Sequence, residues 1–351
     1  MTAQLALPSL LTLPQTMQVP RFVGACKIVF GETPVPSPGP GQLLIKVGAN
    51  ALCGEERQQY ESGTDITPGH ETAGVVVASG EGTWTPVGAH GVIYRMDFCG
   101  ECRNCRAGAT NQCQAKRAEM GFNRDGGYAA YELVSERIFF PIDAGIPLTD
   151  ATLLLDVMGT GGHALRRAQA LRHDIETVLV TGAGPVGLGV AAMCRLLLGA
   201  DVRVAVADVS GYRLKLAESL GGCAVDLREE TVAEGLARCG MPRVDVAIDT
   251  AGKAAARFEG MAALAPRGVL VCVGHGEALS INVSPDLIAP ERAVLGSDYF
   301  PFADLATNLA LYRSHRDYLH QIVTHRYNVQ EIQNAFETFF SRQAGKVIVE
   351  Q

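Results

Sequence analysis

The sequence predicts an α/β protein built from a β-rich part and a doubly wound parallel sheet. Two textures carry that expectation. Short strands punctuated by glycine and proline fill about residues 17–140, and strand–helix alternation with continuous apolar strands follows from about 158 to 296. A length of 351 residues leaves room for two cores.

In the first part, "GQLLIKVGANAL", "ETAGVVVASG", "HGVIYR" and "GGYAAYELVS" have the β-branched, aromatic and alternating character of strands. "PVPSPGPGQ" (34–42) reads as a stiff turn between strands, not a domain linker. In the second part, "TVLVTGAG" is a buried strand and "PVGLGVAAMCRLLLG" its helix; "VRVAVAD" and "GYRLKLAESLG" repeat the unit. "VDVAIDTAG" and "GVLVCVG" supply further strands. Apolar strands separated by helices imply a parallel sheet covered on both faces. From about 297 the alternation stops, leaving helical "ADLATNLALYRSHR", then "VTHRYN", "VQEIQNAFETFF" and a terminal strand "GKVIVE".

Hydrophobic residues at 47% and charged residues at 19%, without low-complexity tracts, indicate a globular enzyme-like chain. A formal charge of −7 and a pI near 5.7 argue against nucleic acid or an anionic membrane as partner. "MTAQLALPSLLTLPQ" has no basic residue before its apolar part and is broken by Pro8 and Pro14, so it reads as neither signal peptide nor membrane span. A cytoplasmic protein is expected, in which thiols stay reduced and a disulfide framework is not anticipated.

Four of the ten cysteines then stand out: Cys99, Cys102, Cys105 and Cys113 in "CGECRNCRAGATNQC". Successive Cys-x-x-Cys turns aim thiolates at one ion, and four ligands close tetrahedral zinc, so this site is structural. The rival, an iron–sulfur cluster, wants a shorter last gap and a proline after the fourth cysteine, where Gln114 stands. Cys26, Cys194, Cys223, Cys239 and Cys272 read as small core residues or idle thiols.

"TGAGPVG" places Gly182, Gly184 and Gly187 in G-x-G-x-x-G spacing between a strand and a helix. The first permits the tight turn, the second lets backbone approach a pyrophosphate, and the third lets helix pack on strand. The helix N-terminus offers free N–H groups to phosphate. Asp208 ends the next strand, 21 residues after Gly187, where a carboxylate accepts ribose hydroxyls and repels a 2′-phosphate. NAD is the expected cofactor, with Pro185 and Val186 completing its loop.

"LCGEE" (52–56), "GHE" (69–71) and "LLLDVMGTGGHA" (153–164) complete a set of motifs in which "PVPSPGPGQLLIKV", the four-cysteine lobe and "GAGPVG" with Asp208 also belong. In that order, over about residues 17–350, the chain resembles the zinc-dependent medium-chain dehydrogenases, the family of alcohol, sorbitol and threonine dehydrogenases. The resemblance implies a GroES-like catalytic domain from residues 1–157 and 297–351, with the structural zinc lobe at about 95–115, and an inserted Rossmann domain at 158–296. It implies catalytic zinc ligands Cys53, His70 and Asp156, with Glu71 either a ligand or a holder of the zinc-bound water. One thiolate, one imidazole and one carboxylate leave a fourth position for substrate. It further implies Thr160 near the nicotinamide, Arg213 near the adenosine ribose, two zinc ions per subunit, and a homodimer or homotetramer.

Two departures stand beside the resemblance. Glu55 occupies the position of a hydroxyl that starts the family's proton relay, and Gln58 that of its histidine. Glu55 either takes the proton itself or pairs with Arg57 or another base at the pocket rim. His163 begins a helix and reads as a packing residue, while His90, His173, His275, His315, His320 and His325 have no evident partner. The expected activity is NAD-linked oxidation of a secondary alcohol, polyol or cyclitol to a ketone, or its reversal, on a small-molecule substrate. The other reading is a non-catalytic NAD- and zinc-binding homologue. A zinc-independent quinone reductase fits poorly with Cys53, His70 and the four-cysteine lobe.

Overall fold

The computed structural model describes residues 13–351. The N-terminal stretch judged neither signal peptide nor membrane span therefore lies largely outside the described residues. Among those described, no helix is long and apolar enough to cross a membrane.

Strands Gln42–Ala51, Thr72–Ser79, His90–Ile93, Tyr131–Ser135 and Phe139–Pro141 join Val323–Asn328 and Lys346–Glu350 from the chain's other end in one seven-stranded sheet. A second, six-stranded sheet is parallel throughout, in the spatial order Cys223–Asp226, Arg203–Asp208, Thr177–Thr181, Val244–Asp249, Leu264–Cys272, Ala293–Gly296. The order reverses direction beside Thr177–Thr181, so a crevice opens at the carboxyl end of that strand. The α/β class and the doubly wound sheet are as the strand texture predicts. Strands Thr177–Thr181 and Val244–Asp249 are buried at every position, which is why they read as unbroken apolar runs.

One apolar core runs through both sheets. Leu43, Ile45 and Val76 of the first and Val178 and Val180 of the second belong to it, with Val190 of the following helix Pro185–Leu198, bridged by Leu153, Leu154, Leu155, Val157 and Met158. All five bridging residues have no exposed area. The lobes are also clasped at the surface. Ser210 Oγ donates to Arg342 O at 2.8 Å, and Arg213 Nε donates to Ala344 O at 2.8 Å. These bonds fix the start of helix Gly211–Ser219 against the loop that leads into strand Lys346–Glu350.

The cysteine assignment needs one correction. Cys223 and Cys239 are not idle thiols; they form a disulfide across 16 residues, with Cα atoms 6.1 Å apart. Cys223 opens the edge strand and Cys239 caps helix Val232–Arg238, so the return of that helix beside the strand brings the sulfurs together. The other eight cysteines are free.

Candidate active site

Strand pairing assembles the site. Gln42–Ala51 and Thr72–Ser79 run antiparallel with Asn50 opposite Thr72, so the residues following one strand meet those preceding the other. Ala51 N donates to Glu71 O at 3.2 Å, and motifs seventeen residues apart become neighbours. Asp156 enters from the junction, as the first residue of a buried π turn, Asp156–Thr160. Ligand atoms of Cys53, His70, Glu71 and Asp156 all lie within 4.8 Å of one another, and all four residues are buried. Each of the predicted metal-facing residues is present in this cluster.

The surroundings orient these groups. His70 Nε2 lies 3.6 Å from Asp156 Oδ2, while Nδ1 lies 3.2 Å from Glu56 Oε1. Glu56 is itself held by Tyr128, whose hydroxyl donates to Oε2 at 2.7 Å. A carboxylate 3.2 Å from the far ring nitrogen favours the proton at Nδ1, the tautomer in which Nε2 can face a metal. Glu71 faces Lys346, whose ammonium also donates to Leu52 O at 3.0 Å; both charged side chains are wholly buried. Thr160 Oγ1 donates to Asp156 Oδ1 at 3.3 Å.

The electrostatics are those of buried donors crowded around one point. Burial, then the Asp156 charge, push the Cys53 thiol up to about 12. Burial works against a charged His70, but its contacts with Asp156, Cys53 and Glu56 raise its pKa well above the usual value. Burial works against an ionised Asp156 as well, yet His70 and then Lys346 hold that carboxyl below the usual carboxylate range. Glu71 is raised by burial in spite of Lys346. Both ring nitrogens of His70, Glu56 Oε1 and Glu71 Oε2 are buried without a hydrogen-bond partner. A thiol, an imidazole and carboxylates with orphaned atoms facing one point fit a zinc ion.

Glu55 sits at the edge of this cluster, its Oε2 3.8 Å from His70 Nε2. Its partner is Arg95, whose Nη1 donates to the same oxygen at 2.5 Å. Arg57 pairs instead with Glu61 on its own helix. His275, which the sequence left without a partner, brings Nε2 to 3.6 Å from Glu55 Oε1 across the crevice. His320 likewise has one, its Nδ1 3.3 Å from Asp150 Oδ1.

The four-cysteine lobe presents a second donor set. Sγ atoms of Cys99, Cys102, Cys105 and Cys113 lie within 4.8 Å of one another. Backbone N–H groups point at the sulfurs: Cys102 N to Cys99 Sγ at 3.3 Å, Cys105 N to Cys102 Sγ at 3.5 Å and Ala115 N to Cys113 Sγ at 3.4 Å. Such bonds favour thiolate, and those from Cys105 and Gln114 bring Cys102 down to about 6. No carboxylate belongs to this set of four thiols.

At the crevice, Gly182 has φ +96°, a conformation that side chains rarely adopt, and a Cβ on Gly187 would stand 1.8 Å from Gly182 O. Around Gly184 the space is open, with Arg213 Nη1 the nearest neighbour at 3.8 Å. Pro185 and Val186 begin the helix that follows. Asp208 takes backbone N–H groups on both oxygens, from Ala183 at 2.6 Å and Ser210 at 2.7 Å, which turns its carboxylate toward the glycine loop. Missing from the sequence analysis were Glu56, Lys346, Arg95 and Tyr128. Of these only Glu56 had a signal, adjacency to the zinc-type cysteine in "CGEE".

The family "Alcohol dehydrogenase GroES-like domain" matches residues 39–144, and "Glucose dehydrogenase C-terminus" matches 159–350. The chain is 32% identical to an L-threonine 3-dehydrogenase of Coxiella burnetii over 91% of its own length and 94% of the relative's. It is 29% identical to an uncharacterized zinc-type alcohol dehydrogenase-like protein of Escherichia coli, covering 95% and 99%. A putative zinc-binding dehydrogenase from Sinorhizobium meliloti, bound to NADP, superimposes with a TM-score of 0.83 at 26% identity, covering 96% and 100%. The chain belongs to the zinc-dependent medium-chain dehydrogenase family. It is an oxidoreductase acting on CH–OH groups.

Proposed function

We propose that the protein is a zinc-dependent, NAD-linked dehydrogenase that oxidises a secondary alcohol, polyol or cyclitol to a ketone, or catalyses the reverse reduction. The observation that carries this reading is the convergence of Cys53, His70 and Asp156 beside a crevice whose glycine loop and Asp208 suit a dinucleotide. Those three residues would hold the catalytic zinc, with Glu71 kept close by Lys346; Cys99, Cys102, Cys105 and Cys113 would hold the structural one. When bound, zinc supplies Lewis acidity toward the alcohol oxygen and NAD accepts the hydride.

The chain's own residues do the rest. Gly182, Gly184, Pro185, Val186 and Gly187 receive the pyrophosphate, Asp208 the adenosine ribose with Arg213 beside it, and Thr160 flanks the nicotinamide. Arg95 holds Glu55 beside the reacting oxygen, from which Glu55 accepts the proton. Exposed His275 next to Glu55 offers the way out to water. The functional division would follow the sheets, with a catalytic domain of 1–157 and 297–351 around a cofactor domain of 158–296. A homodimer or homotetramer in the cytoplasm is part of the reading. Edge strand Ala293–Gly296 and the exposed Val283 and Ile288 before it support self-association. Purified protein should reduce NAD with members of a panel of alcohols, polyols and cyclitols. Zinc and NAD binding without turnover on any of them would instead define a non-catalytic homologue.

A further inference from the structure

The disulfide closes a loop that packs against the cofactor crevice. Cys223 begins the edge strand Cys223–Asp226 and Cys239 follows helix Val232–Arg238, so residues 223–239 form one cross-linked unit at the edge of the parallel sheet. The strand pairs with Arg203–Asp208, Cys223 opposite Ala205 and Asp226 opposite Asp208. Just beyond it, Leu227 N donates to Asp208 O at 3.0 Å. Arg228 is clamped on Asp226 through Nε at 2.8 Å, and its guanidinium lies against Gly211, where a Cβ would stand 2.8 Å from Nη2. The turn inside the cross-linked loop therefore seats both Asp208 and the start of the helix that follows it.

We propose that Cys223 and Cys239 form a reversible thiol–disulfide switch on dinucleotide affinity. The disulfide holds the turn against Asp208 and favours NAD; reduction frees the turn and weakens the cofactor. This rests on the crevice being the NAD site and adds a control to it.

Compartment and access come first. Where thiols are kept reduced, the disulfides that do form are mostly transient or redox-sensing. Of the eight free cysteines, Cys53 and the four of the cysteine lobe belong to metal-type clusters, so the joined pair stands apart from both. Cys223 and Cys239 are each half-buried at the sheet edge, within reach of a small thiol or a dithiol protein.

The chemistry has a direction. Arg238 Nη1 lies 3.9 Å from Cys223 Sγ, and the same guanidinium is anchored on Glu230 Oε2 at 3.2 Å and Ala224 O at 2.7 Å. A fixed cation stabilises thiolate, which makes Cys223 the better leaving group and directs attack to Cys239. A thiolate of a dithiol reductant attacks Cys239 Sγ, the S–S bond breaks, and its electron pair leaves on Cys223. The second thiol of the reductant then displaces Cys239 from the mixed disulfide. Two electrons and two protons reach the protein, and the reductant ends as a disulfide.

The fold around the pair does not depend on the bond. Val232 and Leu236 of the helix are buried with Val225, Ala205 and Ala207 in one apolar cluster, and Thr231 and Glu234 cap that helix reciprocally. Reduction removes only the constraint across 16 residues. The turn that it loosens must be ordered again when the dinucleotide binds, which lowers affinity without opening the sheet.

The test compares zinc-loaded protein after oxidised glutathione with the same protein reduced by a water-soluble phosphine that is then removed. Alkylation and peptide mass report the state of Cys223 and Cys239, and metal analysis checks that zinc is equal. NADH, followed by its fluorescence, should bind the reduced protein about fivefold or more weakly, the low end of coupling between linked sites. By reciprocity, saturating NADH should make the pair harder to reduce by the same factor. At about 30 mV per tenfold for two electrons, the midpoint in a dithiol redox buffer then moves about 20 mV more negative. Cys223→Ser/Cys239→Ser, or Cys239→Ala where the double variant folds poorly, should bind NADH like the reduced protein and ignore the redox buffer. Free thiols at both positions after oxidised glutathione, equal NADH affinity in the two states, or a midpoint indifferent to NADH would overturn the switch and leave the dehydrogenase standing. Failure of NADH to bind in both states would overturn the cofactor site as well.

Discussion

Replacing Lys346 with methionine probes the least exposed charge pair in the site. The ammonium and the Glu71 carboxylate are both fully buried, and Lys346 has Leu52 O as its other acceptor, at 3.0 Å. Methionine keeps most of the apolar stem and removes the charge. Glu71 is then an uncompensated buried carboxylate, already pushed upward by burial even with Lys346 present. Breaking a buried pair from one side costs about 3–5 kcal/mol, because the remaining charge is left without its partner. At roughly 2–4 °C per kcal/mol for domains of this size, melting should fall by on the order of 10 °C. Lys346→Met/Glu71→Gln removes both charges and should recover most of the loss. Denaturant titration and melting of the wild type, single and double variants at equal zinc loading measure this. A single-variant loss below about 1 kcal/mol, or a double variant no more stable than the single, would falsify the view that Lys346 neutralises Glu71.

Other expectations follow from the same geometry. Glu132 is buried with neither carboxylate oxygen bonded, and burial raises it to about 8 against a small opposing pull from Thr72. A raised carboxyl pKa contributes stability at acid pH that is lost as pH rises through about 8, so Glu132→Gln should gain on the wild type between pH 5 and pH 8. The gain, read from unfolding curves, should be about 3 kcal/mol, and parallel pH dependences would refute it. Asp208→Gly should weaken NAD binding and shift the ratio of NAD to NADP affinity toward NADP; a wild type that binds both equally would contradict the role given to this carboxylate. Cys105→Ser should remove one zinc per chain by metal analysis and lower the melting temperature, whereas unchanged zinc and melting would leave the lobe metal-free. Glu55→Gln should retain zinc and NAD but lose roughly 10²-fold in turnover, with the loss in the proton-transfer limb of the pH–rate profile. An unaltered profile would leave Glu55 as Arg95's partner only.

Legibility in the sequence tracked how local each feature is. Apolar strand runs and the glycine loop announce themselves because strand burial and the tight turn are properties of adjacent residues. Cys53, His70 and Asp156 could be picked out through motif order, although alone each would pass for a core or capping residue. Glu56 lay beside Cys53, yet its role depends on the turn that swings it beneath His70 Nδ1. Lys346 was out of reach. Its place follows from strand Lys346–Glu350 pairing with Gln42–Ala51, Ile348 opposite Ala51, across almost the whole chain. Arg95 meets Glu55 from 40 residues away within the β-rich lobe, and His275 reaches Glu55 only once both lobes are docked. Cys223 and Cys239 were misjudged for a similar reason, since compartment suggested free thiols while the helix return after Val232–Arg238 sets the sulfurs side by side.

The most direct test of a zinc-assisted dehydrogenase is chelation with zinc content and NADH formation followed on one sample. Two zinc ions per chain are expected at the start. Mild treatment should withdraw one ion, from the set of Cys53, His70 and Asp156, which leaves a coordination position open. The ion enclosed by four thiolates should stay. NADH formation should vanish with the first ion and return when zinc is restored, while the melting temperature of the four-cysteine lobe holds. NADH formation that continues undiminished after that ion has left would contradict the account.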